Sequence, residues 1–192
     1  MLVFGHAGLT VGAAMLARGV LNKIEPKQAS RFTFWLKSLD LRFLTLGSLL
    51  PDIIDKPLGL ILFARSIGYG RIFCHSLLFL ILITAGGLWL YHKRGRHWLF
   101  TLALGTASHL VLDEMWAYPV SLFWPLYGMN FPREEPGSYL LILLHELLTE
   151  PKVYIPEMVG ILVFVILALR LPKDVRRNLS LNPLNLLHRH RD

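Results

Sequence analysis

Residues 47–64 read GSLLPDIIDKPLGLILFA, an apolar stretch that carries two aspartates and a lysine. Asp52, Asp55 and Lys56 stand here among side chains that are otherwise suited to lipid. A charged side chain at the centre of a bilayer costs at least about 2.5 kcal/mol, so an ionisable residue in a membrane segment indicates a functional site. The stretch therefore predicts a membrane helix whose charges have partners elsewhere in the chain.

The composition of the whole chain is typical of a membrane protein. Of its 192 residues 54% are hydrophobic and 17% are charged, and the mean hydropathy is +0.48. The formal charge of +7 comes from basic residues that flank apolar runs, so we expect lipid headgroups and no nucleic acid as partners. Residues 1–17 have no basic region ahead of their apolar stretch, and we expect a retained span there, not a cleaved signal peptide.

Five apolar runs have roughly the length that a bilayer requires. They cover residues 2–17, 41–63, 72–91, 98–117 and 153–171. Pro51 and Pro57 predict a break or kink in the second run, and a shorter apolar segment near 138–149 predicts an interfacial helix. The expected fold is an all-α polytopic membrane bundle of about five transmembrane helices.

The lysines and arginines of the connections predict the orientation of this bundle. Residues 18–42 hold six of them, residues 92–97 hold three and the segment from residue 170 holds six, whereas the alternate connections hold two each. The positive-inside rule then places the N-terminus outside and the C-terminus inside. We expect a single helical membrane domain over 1–172 and a basic cytoplasmic tail over 173–192.

This topology brings the intramembrane histidines and aspartates to the outer half of the membrane. They are His6, Asp52, Asp55, His75, His109 and Asp113. His109 and Asp113 are four residues apart and share a helix face, a spacing at which two side chains can bind one metal ion. Imidazole and carboxylate donors together suit zinc, and also manganese or iron. The sequence therefore predicts one shared divalent-metal site at the outer face.

Each of these residues also has a simpler explanation. A buried histidine is more often a hydrogen-bonded packing residue than a ligand, and the pair HxxxD can join two helices by a hydrogen bond. Asp52 after Pro51 could cap a helix, and Lys56 could neutralise an aspartate without any metal. Arg71 could bind a phosphate or could only reach the headgroups. The presence of five such residues on one membrane face favours the metal site.

The order of these motifs resembles that of a known family. The segments GHAGLT, GSLLPDIIDKP, CHSLLF and ASHLVLDEMW, followed by a Trp-Pro pair, resemble the YdjM-like inner-membrane proteins of bacteria and archaea, which are known as membrane-bound metal-dependent hydrolases. The resemblance covers roughly the first 130 residues. It implies a multi-pass protein of the cytoplasmic (inner) membrane.

That family is distantly similar to the zinc-dependent phospholipases C and to the single-strand nucleases of the S1/P1 type. The similarity implies one to three zinc ions and assigns Asp113 as a bridging carboxylate. The matching ligands, in chain order, are His6, Asp52, His75, His109 and Asp113. The later part of the pattern departs from those enzymes, because His145 is followed by Glu146 and Glu150 and not by an acid four residues on.

The resulting hypothesis is a membrane-embedded hydrolase that uses a divalent metal, zinc above all, to cleave a phosphoester at the outer face. Its substrate would be a lipid or a lipid-linked phosphoester. Asp55 is a candidate general base or orienting residue, Arg71 would neutralise the phosphate, and His145 is a further catalytic candidate. The alternative is a non-catalytic membrane protein, an ion or proton transporter or a scaffold, that uses the same cluster of histidines and aspartates.

Overall fold

The computed structural model describes residues 1–23, 39–133 and 139–170. Across these ranges the chain is all-helical and contains no strand, which confirms that the fold is all-α. Its helices are α1 (Val3–Leu21), α2 (Leu41–Pro57), α3 (Leu77–Arg94), α4 (Trp98–Leu112), α5 (Pro119–Leu122), α6 (Tyr139–Thr149) and α7 (Pro151–Arg170). The helix expected near 138–149 is α6, and the tail predicted over 173–192 lies outside the described residues.

Helices α2 and α4 pack closely because each presents a glycine to the backbone of the other. A Cβ atom on Gly47 would overlap the carbonyl oxygen of Leu102, and one on Gly105 would overlap the carbonyl oxygen of Leu44. At this approach the hydroxyl of Thr106 donates to the Gly47 carbonyl at 3.2 Å. Small residues allow such contacts between membrane helices, where packing and hydrogen bonds drive association.

Helices α1 and α7 form a second close pair. A Cβ atom on Gly8 would overlap the backbone of Gly160, and one on Gly160 would overlap the carbonyl oxygen of Phe4. Helix α1 also contacts α2 and α4, whereas α3 packs on α4 and α6 packs on α7. The two close pairs therefore meet along α1, and the candidate site lies where they meet.

The second helix differs from its prediction at the two prolines. Helix α2 continues through Pro51 and ends at Pro57, where Leu58–Leu62 form a π-helical turn. The break therefore follows Asp52 and Asp55 and leaves both on the helix. At the other end Asp40 caps α2, and the hydrogen bonds from the guanidinium and the N–H of Arg42 lower the pKa of its carboxyl.

The third apolar run, predicted as a helix over 72–91, becomes helical only at Leu77. Ser76 is the N-cap, and its hydroxyl accepts the N–H of Phe79 at 3.1 Å. His75 therefore lies in the loop before α3 and not on the helix. The reason is a set of backbone hydrogen bonds to a buried carboxylate, described below.

The fourth run, predicted over 98–117, ends as a helix at Leu112. Glu114 adopts a left-handed backbone conformation with φ of 50°, which an α-helix does not contain. Asp113 is consequently the first residue beyond α4, although it still lies one turn after His109. Because α4 ends at this point, the carboxylate of Asp113 lies at the end of the helix, where it lines the cleft described below.

Two helices of the described chain are long and apolar enough to cross a membrane by length and composition, namely α1 and α7. Helix α4 is apolar but has 15 residues. Large apolar side chains lie exposed on α1, α3 and α7, among them Leu16, Val20, Ile81, Leu82, Ile155 and Leu162. These surfaces suit lipid, while the number of five spans stays a prediction.

Candidate metal centre

The structure assembles the five predicted metal ligands into one cluster. Two groups of three residues have potential ligand atoms within 4.8 Å of one another. We call them the His75 group, with Asp52, His75 and His109, and the His6 group, with His6, His109 and Asp113. The three histidines are fully buried, and His109 belongs to both groups. Side chains from α1, α2, α4 and the loop before α3 thus meet at one place.

Asp55 holds the loop before α3 and orients His75. Its buried carboxylate accepts the backbone N–H groups of Ile72 at 3.0 Å, Cys74 at 2.9 Å and His75 at 3.1 Å. It also lies 2.7 Å from Nδ1 of the His75 ring. Because a carboxylate only accepts, Nδ1 carries the hydrogen, and the lone pair of His75 is on Nε2.

The backbone of α2 orients His109 in the same way. Nδ1 of His109 donates to the carbonyl oxygen of Ser48 at 2.7 Å, so its lone pair is also on Nε2. The two Nε2 atoms of His75 and His109 lie 3.2 Å apart. Two nitrogens that bind one zinc ion at ~2.0–2.1 Å, at a tetrahedral angle, are separated by about 3.3 Å. The pair is therefore spaced as two ligands of one ion are.

Asp52 divides its two oxygens between a lysine and the cluster. Oδ2 accepts a hydrogen bond from Nζ of Lys56 at 2.7 Å, so the pairing that could explain this aspartate without a metal is present. Oδ1 is buried 3.6 Å from Nε2 of His75 and accepts no hydrogen bond from the described part of the chain. Lys56 thus neutralises one side of the carboxylate and leaves the other side turned to the histidines.

Asp113 has the same arrangement with Arg71. Its Oδ2 accepts from Nε of Arg71 at 3.0 Å, while its Oδ1 lies 3.0 Å from Nε2 of His6 and 3.3 Å from the amino nitrogen of Met1. The His6 ring stacks on His109 with 4.1 Å between centroids. Neither ring nitrogen of His6 makes a hydrogen bond to the described residues. Stacking on His109 and the 3.0 Å contact with Asp113 therefore hold this ring.

The donors of the cluster fit a divalent metal ion. Buried polar atoms are almost always hydrogen-bonded, yet both ring nitrogens of His6 and Oδ1 of Asp52 have no such partner among the described residues. A cation would satisfy Oδ1 of Asp52 and the one ring nitrogen of His6 that carries a lone pair. Imidazole with carboxylate suits zinc, manganese and iron. His109 offers one lone pair, so it can serve the His75 group or the His6 group but not two ions at once.

A cleft of about 730 Å³ leads from the surface to this cluster. Lys56, Arg71 and Asp113 line it, together with Glu146 of α6, Glu150 between α6 and α7, and Lys152 of α7. Arg71 is fixed there, because its guanidinium lies 5.0 Å from the centre of the Tyr118 ring and its carbonyl accepts the Ser121 hydroxyl at 2.7 Å. Two cations thus stand where the cleft meets the candidate ligands.

The predicted catalytic residue His145 does not join the cluster. It lies exposed on α6, and the described lining of the cleft includes its neighbour Glu146 instead. Successive residues of an α-helix point about 100° apart, so His145 and Glu146 face different directions. Asp55 and Arg71, the other two catalytic candidates, lie within hydrogen-bonding distance of His75 and Asp113, respectively.

Sequence reasoning missed Glu157, a buried residue of α7. Its carboxylate accepts the N–H groups of Leu2, Phe4 and Gly5 at the start of α1. A single acid inside a strongly apolar helix is the signal that could have identified it. The role of the Ser48 carbonyl had no such signal, because any residue supplies a carbonyl.

A family model described as YdjM inner membrane protein matches residues 1–175, which include every member of the cluster. The chain belongs to the YdjM inner membrane protein family. Membership confirms the resemblance noted in the sequence and places the protein in the inner membrane. No curated protein and no solved structure matches the chain. The similarity to phospholipases C and nucleases accordingly stays a prediction.

Proposed function

We propose that this YdjM-family protein is a metal-dependent hydrolase of a phosphoester, with the His75 and His6 groups as its metal centre. The observation that carries the proposal is the pair of Nε2 atoms of His75 and His109, 3.2 Å apart. Both Nδ1 atoms are committed to acceptors, so two lone pairs face each other in a buried site. Such a pair is stabilised by a positive charge between its nitrogens, which a metal ion or a shared proton supplies, and the metal ion is the charge that we propose.

The residues of the cluster divide into ligands and supporting groups. The His75 group would hold the first ion, and His6 with Asp113 would offer a second position. A divalent ion supplies Lewis-acid polarisation of a phosphoryl oxygen and activation of a water nucleophile. Asp55 is fully buried with its oxygens used by backbone and imidazole donors, which supports an orienting role and not that of general base.

Lys56 and Arg71 are two cations that the cleft offers to an anionic substrate. Both line the cleft, and each pairs with one oxygen of a candidate ligand, Asp52 or Asp113. An ion bound to these carboxylates would weaken both pairings, and Lys56 and Arg71 would then donate hydrogen bonds to phosphoryl oxygens. Arg71 suits this task, since its planar group is already held by Tyr118.

The surroundings of the cleft support a lipid or lipid-linked substrate. Exposed large apolar and aromatic side chains follow α4, namely Trp116, Phe123, Leu126, Tyr127 and Met129. Tryptophan and tyrosine are enriched where a bilayer meets water. We place this segment in the outer interface, within a bundle of five spans with the N-terminus outside, as the basic connections favour. Headgroups would then reach the cleft by diffusion within the membrane.

The alternative of ion or proton passage requires polar groups that continue beyond the cluster. The hydroxyls available in α1 and α4 are used within the bundle: Thr10 and Ser108 bind each other at 2.7 Å, Thr101 donates to His97 and Thr106 donates to Gly47 and Leu102. Side chains that satisfy neighbouring helices favour a site over a pathway.

Metal content of the detergent-purified protein tests the proposal. Elemental analysis should find at least one divalent ion per chain in the wild type and in the control His92→Ala, whose histidine is exposed at the end of α3. Asp52→Ala and His75→Ala should lose that ion. A metal-free wild type after reconstitution would reject the centre. Bound metal without hydrolysis of phospholipids or soluble phosphodiesters would reject the enzymatic part alone.

A further inference from the structure

Glu157 connects the last described helix to the beginning of the first. Its Oε1 accepts the N–H groups of Leu2 and Gly5, both at 2.8 Å, and its Oε2 accepts the N–H of Phe4 at 3.0 Å. The first N–H groups of a helix have no partner within the helix. Helix α1 therefore takes its N-terminal cap from α7, a separate part of the chain.

The contact between Glu157 and α1 is tight. A Cβ atom on Gly5 would lie 2.6 Å from Oε1 of Glu157. Gly160, three residues after Glu157, lies against the backbone of Phe4. The first turn of α1 is thus fixed at two successive points of α7, by hydrogen bonds and by close packing.

His6 follows Gly5 directly and depends on this first turn for its position. Its ring nitrogens make no hydrogen bond to the residues that the structure describes, unlike those of His75 and His109. Its backbone, its stacking on His109 and the 3.0 Å contact of its Nε2 with Asp113 hold the ring. Whatever fixes the start of α1 therefore also fixes Nε2 of His6 beside Asp113.

We propose that Glu157 is a positioning residue of the metal centre, which holds His6 in place by capping α1. The inference rests on the proposed function in one respect, that His6 is a metal ligand. A carboxylate fits this cap because both of its oxygens accept, and it lies at the positive end of the α1 dipole. An amide has one accepting oxygen, so in Glu157→Gln its NH₂ group would face at least one N–H of α1.

A double-mutant cycle with His6→Ala tests this role, with cobalt binding to the full-length protein in detergent as the readout. Glu157→Gln should weaken the binding of cobalt to the His6 group about 10- to 100-fold, as loss of a supporting group does. It should also change the visible cobalt spectrum in the way that His6→Ala does. In the His6→Ala background the same substitution should have no further effect on affinity. The matched control is Asp40→Asn, which removes an acid from the cap of α2, away from the site.

The outcomes separate the two proposals. Equal losses of affinity from Glu157→Gln in both backgrounds, or no loss in either, would overturn the positioning role. A wild-type protein that binds no cobalt or zinc would overturn the proposed function and this inference with it. If Glu157→Gln does not fold, Gly5→Ala applies a milder displacement at the same contact, and a smaller loss that disappears in His6→Ala is expected.

Discussion

The two halves of the candidate metal centre are held by different means. In the His75 group, Asp55 and the Ser48 carbonyl bind the Nδ1 atoms of His75 and His109, and so fix both rings and both lone pairs. In the His6 group, the ring of His6 is held by stacking, by its contact with Asp113 and by the placement of α1. Ligands that are oriented before binding require less rearrangement, so we expect the His75 group to bind its ion more tightly.

The same contrast appears in the helices beneath. The His75 group stands on α2 and α4, which are joined by close glycine contacts near the site and by the Thr106 hydrogen bond to Gly47. The His6 group depends on α1 and α7, which meet through Glu157 and Gly160. A candidate ligand can therefore be oriented by a hydrogen bond to its ring or by the position of the helix that carries it.

The largest effect is expected from His109→Ala, because this residue is common to both groups. The substitution should remove nearly all bound metal, whereas His6→Ala should spare the ion of the His75 group. Elemental analysis of both variants beside His92→Ala measures the difference. If His109→Ala kept one ion per chain, metal binding would not depend on the residue that the two groups share. The proposed arrangement of the centre would then be wrong.

A smaller effect is expected from Asp55→Asn, which alters only the support of His75. The amide NH₂ would meet the N–H groups of the loop before α3, so affinity should fall about 10- to 100-fold. Stability should also fall, by about 1–3 kcal/mol for a buried donor left without an acceptor. Zinc competition titrations and thermal unfolding in detergent measure the two quantities. An unchanged affinity would show that Asp55 supports the loop but not the ligand.

The smallest effect, with the opposite sign, is expected from Lys56→Met. Lys56 competes with a bound ion for Asp52, so its removal should tighten metal binding about three- to tenfold, at most about 1.4 kcal/mol. If Lys56 is instead the permanent partner of Asp52, the variant should unfold at a lower temperature and gain no affinity. Zinc competition titrations measure the affinity and thermal unfolding in detergent measures the stability. The two measurements together distinguish these results.

The members of the cluster could be predicted from the sequence because a histidine or aspartate in an apolar run is conspicuous. The helices could be predicted because such runs are long. The position of His75 in a loop could not, since it depends on Asp55 seventeen or more residues away accepting backbone hydrogens. The role of Glu157 could not be predicted for a related reason. Its partners are N–H groups, which every residue but proline carries, so only the folded chain shows which ones it binds.

The cap of α1 by Glu157 also sets an order for biogenesis. Its hydrogen bond to Leu2 joins residues that are 155 positions apart, so α1 obtains this cap only after the last described helix has been synthesised. The His75 group needs nothing beyond His109 and can form earlier. We therefore expect a nascent chain arrested before α7 to form the His75 group but not the complete His6 group. Formation of the His6 group would then indicate that α7 has been inserted.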